Sequence, residues 1–246
     1  MKTITLWTLI LFLFTACSID SEKETSKSIY TQDEPVYKTE SNGKTDANPA
    51  NISNSYDYAG KIHNDISESY LSAENSTTST AATIAKVEEL ANANLDYVQI
   101  LPSTYVSPTV LTVDSILTNF QGNALTVISN SALSLSAKLS LNAFLNSLMS
   151  LRDQQKGYEE IYSFIVNYET TVNADNWFTT ADKKIILTTA SISRYAFYFA
   201  TKHRRKPRDR DWEISWGNIV AGIKGAEESI AKAIVMAAVC GIESNE

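Results

Sequence analysis

From residue 62 to residue 240 the apolar side chains recur every three or four positions. Nowhere in that span do they alternate with polar ones over the four to eight residues that a half-buried strand needs. A period of 3.6 cannot line one face of a pleated strand, so this rhythm restricts the chain to helices. Ile62, Ile66 and Tyr70 are spaced by four, and Ile84, Val87, Ala91, Leu95 and Val98 follow a three-four rhythm. Pro102 and Pro108 bracket a connection. Val110, Val113, Leu117 and Phe120 resume the rhythm, and Gln121-Gly122-Asn123 is expected to stop it, with Gly122 as a helix cap.

Residues 124 to 152 are the longest apolar-rich stretch. Leu125, Ile128, Ala132, Leu135 and Leu139 make one stripe; Leu133, Ala137, Leu141, Phe144, Leu148 and Leu151 make another. A helix with two stripes is expected to be central. Tyr158, Ile161, Ile165, Tyr168 and Val172 mark the next helix. Thr179 or Thr180 is placed to cap the one after, which carries Ile185, Ile192, Tyr195, Ala196 and Phe199 and ends near Pro207. A last helix is expected from about Asp211 to Cys240. In it Trp212, Ile219, Ala226 and Ala233, and likewise Trp216, Ile223, Ile230 and Ala237, repeat every seven residues as a packing seam. The expected fold is all-α: one domain of about six to seven helices over residues 56–246.

The N-terminus has another character. Met1-Lys2 precedes an apolar run, Ile4 to Phe14, of secretion-signal length and too short to span a bilayer. Phe14-Thr15-Ala16-Cys17 follows, and it resembles the lipobox of bacterial lipoproteins, with Phe in the place usually held by Leu. The resemblance implies that residues 1–16 are a signal peptide and that Cys17 is acylated, with palmitate among its lipids. Residues 17–55 then form a lipidated, disordered tether rich in Ser, Thr, Asn, Asp, Glu and Lys, with too little apolar surface to repay ordering. Asp20, Glu22 and Glu24, close behind the cysteine, resemble the acidic export signals of surface lipoproteins in Bacteroidetes-type bacteria. The second cysteine, Cys240, stands in an apolar setting and reads as a small buried hydrophobe, so no structural disulfide is expected.

Removing residues 1 to 16 takes away Lys2 and no acidic residue, leaving 20 basic against 28 acidic side chains, net −8. That balance disfavours nucleic acid as a partner. The chain has two histidines, His63 and His203, and no zinc, serine-hydrolase or phosphate-loop pattern. Glu88-Glu89, Glu159-Glu160 and Glu227-Glu228 are adjacent in sequence and so diverge by about 100° on a helix. No catalytic residue, metal ligand or cofactor is expected.

Two strings stand out. Tyr56-Asp57-Tyr58-Ala59-Gly60-Lys61-Ile62-His63-Asn64 resembles a Y-D-x-x-G-x-x-H-N pattern of uncharacterised lipoproteins of Bacteroidetes-type bacteria, carried by Tyr56, Asp57, Gly60, His63 and Asn64. The resemblance brings no activity with it. Read physically, Asp57 is a helix N-cap, Gly60 allows close packing, and His63 either bonds a backbone carbonyl of a neighbouring helix or binds a ligand. Lys202, Arg204, Arg205, Lys206, Arg208 and Arg210 make a basic stretch. It either complements a helix C-terminus or binds anions such as lipid headgroups. Together these features lead to the expectation of a lipid-anchored protein of the bacterial outer membrane, periplasmic or surface-exposed, with a non-catalytic binding or scaffold module facing an envelope or extracellular partner. The other reading is a membrane-active or self-assembling protein that acts through its Gly/Ala-rich last helix.

Overall fold

The computed structural model describes residues 48–73, 77–118, 120–203 and 216–245. Every regular element among them is an α-helix: α1 (Asp57–Ser72), α2 (Thr80–Ala93), α3 (Leu95–Ile100), α4 (Val110–Thr118), α5 (Phe120–Asn130), α6 (Leu135–Asp153), α7 (Tyr158–Ala174), α8 (Thr180–Lys202), α9 (Trp216–Glu228) and α10 (Ile230–Glu243). The class is the one the rhythm predicts. The number is ten among the described residues, not six to seven.

The extra helices come from polar caps that the apolar rhythm runs straight across. Asn94 divides α2 from α3: its backbone is extended and its side chain accepts from the Tyr97 amide (3.0 Å). Ser134 opens α6 by accepting from the Ala137 amide, and Ser229 opens α10 by accepting from the Lys232 amide. Each restarts a helix by supplying an acceptor to an otherwise unpaired N–H. Gly122 stops nothing; it lies in the first turn of α5. Thr179 caps α8, and Asp182 reciprocates by accepting from the Thr179 amide.

The 124–152 stretch is therefore two helices, and neither is central. Leu125, Leu135 and Leu139 are exposed, so the first expected stripe keeps only Ile128 in the core. The second is real: Leu133, Ala137, Leu141, Phe144 and Leu148 are buried. The central places belong to α8 and α10, where residues 185–197 and 231–242 are buried without a break. α10 packs against α9, α1, α2, α4 and α8. A helix covered on all sides needs short side chains, and Ala231, Ala233, Ala237 and Ala238 provide them.

The expected last helix is the hairpin α9–α10, bent at Ser229. Its start at Asp211 and its seam residue Trp212 lie outside the described residues. Of the rest of the seam, Trp216, Ile219, Ile223, Ala226, Ala233 and Ala237 are buried and Ile230, at the bend, is half-buried. Gly225 makes the close crossing: a Cβ there would stand 2.5 Å from the Cα of Ala233. No helix among the described residues is long and apolar enough to cross a membrane.

One boundary moves. Residues 49–55, assigned above to the tether, are packed on the domain, with Pro49 and Asn54 buried. Cys17 and the tether up to residue 47 lie outside the described residues.

Candidate functional site

α8 carries one charge between Lys184 and Lys202, and that charge, Arg194, is fully buried. Its Nη2 donates to Asp57 Oδ1 of α1 (2.5 Å) and to Glu169 Oε1 of α7 (3.2 Å). Glu169, also fully buried, accepts further from Asn54 Nδ2 at Oε1 (2.7 Å) and from Asn51 Nδ2 at Oε2 (2.6 Å). Asp57 Oδ1 takes the Asn51 amide (3.2 Å), and its Oδ2 faces the Tyr195 hydroxyl (3.4 Å). Burial alone would lower the Arg194 pKa, but Glu169 and Asp57 outweigh it and raise the value, so the guanidinium stays charged. Burial, with Asp57 adding to it, raises the Tyr195 hydroxyl above its ordinary range, so Tyr195 stays a donor.

Two further contacts fix α1 to α8. Ser191 Oγ donates to the Asp57 carbonyl (2.9 Å) and accepts from the Gly60 amide (3.0 Å). A Cβ at Gly60 would lie 2.5 Å from the Ser191 carbonyl oxygen, so only glycine permits this approach. The backbone of the preceding segment is also held: Tyr162 donates to the Ala50 carbonyl (3.0 Å) and Asn173 Nδ2 to the Ser53 carbonyl (3.0 Å). The cluster thus fastens the chain to α7 and α8 at the point where the N-terminal segment joins the domain.

The Y-D-x-x-G-x-x-H-N residues divide. Asp57 and Gly60 belong to this cluster. Asp57 is not the N-cap; it is the first helical residue and its side chain turns to Arg194. The Tyr56 amide donates to Asn54 Oδ1 (2.8 Å). His63 is buried, yet neither ring nitrogen has a hydrogen-bond partner among the described residues, so the expected bond to a carbonyl is not made. Asn64 Oδ1 is likewise buried and unpartnered. Burial pulls the His63 imidazole down to about 4. Its unfolded value is near 6.5, so on acidification the unfolded chain takes up the proton first. The stability due to neutral His63 is complete above about pH 6.5 and is lost as pH falls toward 4, by roughly 3 kcal/mol. Urea melts between these limits are expected to show this slope, and His63→Leu is expected to flatten it. An unchanged slope in the variant would assign the acid sensitivity to other groups.

Of the basic stretch, Lys202 is described: its ammonium stands 4.4 Å from the centre of the Tyr198 ring. Arg204, Arg205, Lys206, Arg208 and Arg210 lie outside the described residues. His203, at the end of α8, places Nε2 2.9 Å from Glu68 Oε1. Cys240 is buried, and burial first, with Glu243 and Asp114 adding to it, raises its thiol well above the ordinary range. Among the described residues no three His, Cys, Asp or Glu side chains gather where a metal could sit. A cleft of about 190 Å³ lined by Asp65, Ile66, Ser69, Leu90, Ala93 and Asn94 is smaller than the roughly 300–1,000 Å³ of a typical ligand pocket.

No family model, curated protein or solved structure matches this chain.

The sequence reading missed Arg194, Glu169, Asn51 and Asn54. A signal for the first two was present. Each is the lone charge in a long uncharged helical stretch, and Glu169 falls on the Ile165/Val172 face of α7. A single charge on an apolar face must find a partner or unfold the helix.

Proposed function

We propose that this chain is a lipid-anchored component of the bacterial outer membrane, whose helical domain is a non-catalytic binding or scaffold module. The observation that carries the reading is the use of the buried ionisable cluster. Arg194, Asp57 and Glu169 hold down residues 51–57, the junction between the N-terminal segment and the domain. A module held on a tether needs a junction that does not fray, and a cross-link of two buried charges, Arg194 and Glu169, with the partly buried Asp57 supplies one. The lipobox-like Phe14-Thr15-Ala16-Cys17 supports the anchor at the other end. The burial of α10 supports reading the Gly/Ala-rich hairpin as core packing instead of a membrane-active effector.

Cell fractionation tests the anchor. The parent is expected in the membrane fraction and Cys17→Ala in the soluble one, because stable attachment takes two or more acyl chains and the domain offers none. A Cys17→Ala protein that stays with the membrane as fully as the parent would sink the anchor. A pull-down of the parent from envelope extracts, with the Cys17→Ala protein as comparison, identifies the partner.

A further inference from the structure

Ile52 and Trp177 are 97% and 86% exposed, more than any other large apolar side chain among the described residues. Both stand in turns closed by hydrogen bonds. The Asn54 amide closes a turn on the Asn51 carbonyl (2.9 Å), and both asparagine side chains point inward onto buried Glu169, which leaves Ile52 and Ser53 at the crest. Trp177 stands between α7 and α8, where its amide donates to Asp175 Oδ1 (2.6 Å) and the Thr179/Asp182 capping box fixes the next turn. Phe178 beside it packs against the core. The two turns are joined: Asn173 Nδ2 donates to the Ser53 carbonyl. Two large apolar side chains thus stand in solvent at the same end of the domain, on segments bonded to each other through Asn173 and Ser53.

We propose that Ile52 and Trp177 form a two-pronged tip that docks on the lipid surface of the membrane carrying the anchor. The inference rests on the lipid anchor proposed above. What sets these two apart from exposed Leu95, Leu111 and Leu135 is their place in the chain. Residue 48, where the N-terminal segment meets the domain, is four positions from Ile52. Only the 30 residues 18–47 separate it from Cys17. Thirty residues reach at most roughly 100 Å even at full extension, so a lipid on Cys17 keeps this end of the domain within reach of the bilayer and raises the local concentration of its surface. Trp suits such a surface, with its apolar ring in the acyl boundary and its N–H in the headgroup layer. The junction carries one charge of each sign beside the tip: Lys183 donates to the Asn173 carbonyl (2.8 Å) and Asp175 holds the Trp177 amide.

The test uses the chain from Ser18 onward with an N-terminal histidine tag, held on vesicles of phosphatidylethanolamine and phosphatidylglycerol that contain a nickel-chelating lipid. With brominated phosphatidylcholine included, the parent's tryptophan fluorescence is expected to be quenched, and Trp177→Phe is expected to lose that quenchable part. Without the chelating lipid, Ile52→Ser and Trp177→Ala are each expected to weaken vesicle binding about tenfold or more, as the burial of a large apolar side chain implies. Equal quenching of parent and Trp177→Phe overturns the proposal. So does a concentration-dependent dimer that shields Trp177 from acrylamide and binds no vesicle, because a second copy then covers the tip. The chelated tag supplies the anchor artificially, so failure here counts against the tip, while membrane retention of Cys17→Ala counts against the lipid anchor alone.

Discussion

Arg194→Met is expected to lower the stability of the domain by about 3–5 kcal/mol, the usual effect of removing one partner from a buried ion pair. The methionine fills much of the arginine's volume, so the loss is electrostatic and not a cavity. It leaves Glu169, fully buried, with Asn51 and Asn54 as its remaining donors. Asp57 is less affected because 18% of its side chain reaches solvent. For a domain of this size the melting temperature should fall by roughly 10 °C. The first region to loosen should be residues 49–56, and amide exchange there should speed up before exchange in α10 does. Replacing Glu169 by Leu in the same chain removes the stranded charge, and the double variant is expected to recover part of the loss. A single variant that melts within about 1 °C of the parent, with unchanged exchange at residues 49–56, would mean that the cluster does not hold the junction.

The other large effect is expected at Ile223→Asp. Ile223 is fully buried on α9, in the face that packs on α8 and α10. The change removes a buried side chain, worth about 2–5 kcal/mol in a core, and adds a carboxylate that must stay unpaired or take up a proton. The sum approaches the whole stability of an ordinary domain, about 5–15 kcal/mol, so the variant should be unfolded or aggregated at neutral pH. Ile223→Val, which keeps shape and polarity, should lose only about 1 kcal/mol. Circular dichroism melts separate the two. A soluble Ile223→Asp protein with the parent's melting temperature would remove α9 from the core. Glu227, four residues on, is a milder site but not a silent one. It accepts from the Ala132 amide (3.1 Å) and from Lys224 (2.8 Å), so Glu227→Lys should cost about 1 kcal/mol and unfasten the α5–α6 turn.

The sequence alone determined that the described residues are helical and which spaced positions of α7 and of the α9–α10 seam enter the core. That information is local. Ile161, Ile165 and Val172 repeat within α7, and the seam from Trp216 to Ala237 repeats every seven residues, so each can be read from spacing without knowing the partner surface. Where helices end was only partly legible. Thr179 announced its helix because it follows a polar loop. Asn94, Ser134 and Ser229 sit inside an unbroken apolar rhythm, and a serine or asparagine there can be a solvated helix residue or a cap, a choice made by the backbone around it. Centrality was not legible at all. The apolar-rich stretch 124–152 is longer than α8 or α10, but burial on all sides depends on how many helices surround an element, and that is a property of the assembled fold. The Arg194 cluster shows the same limit in its chemistry. Asn51, Asp57, Glu169 and Arg194 span more than half the chain. Spacing along a helix cannot pair them; only the packing of α1 and α7 against α8 brings two carboxyls and a guanidinium within hydrogen-bond reach, where low solvent exposure makes their pairing obligatory.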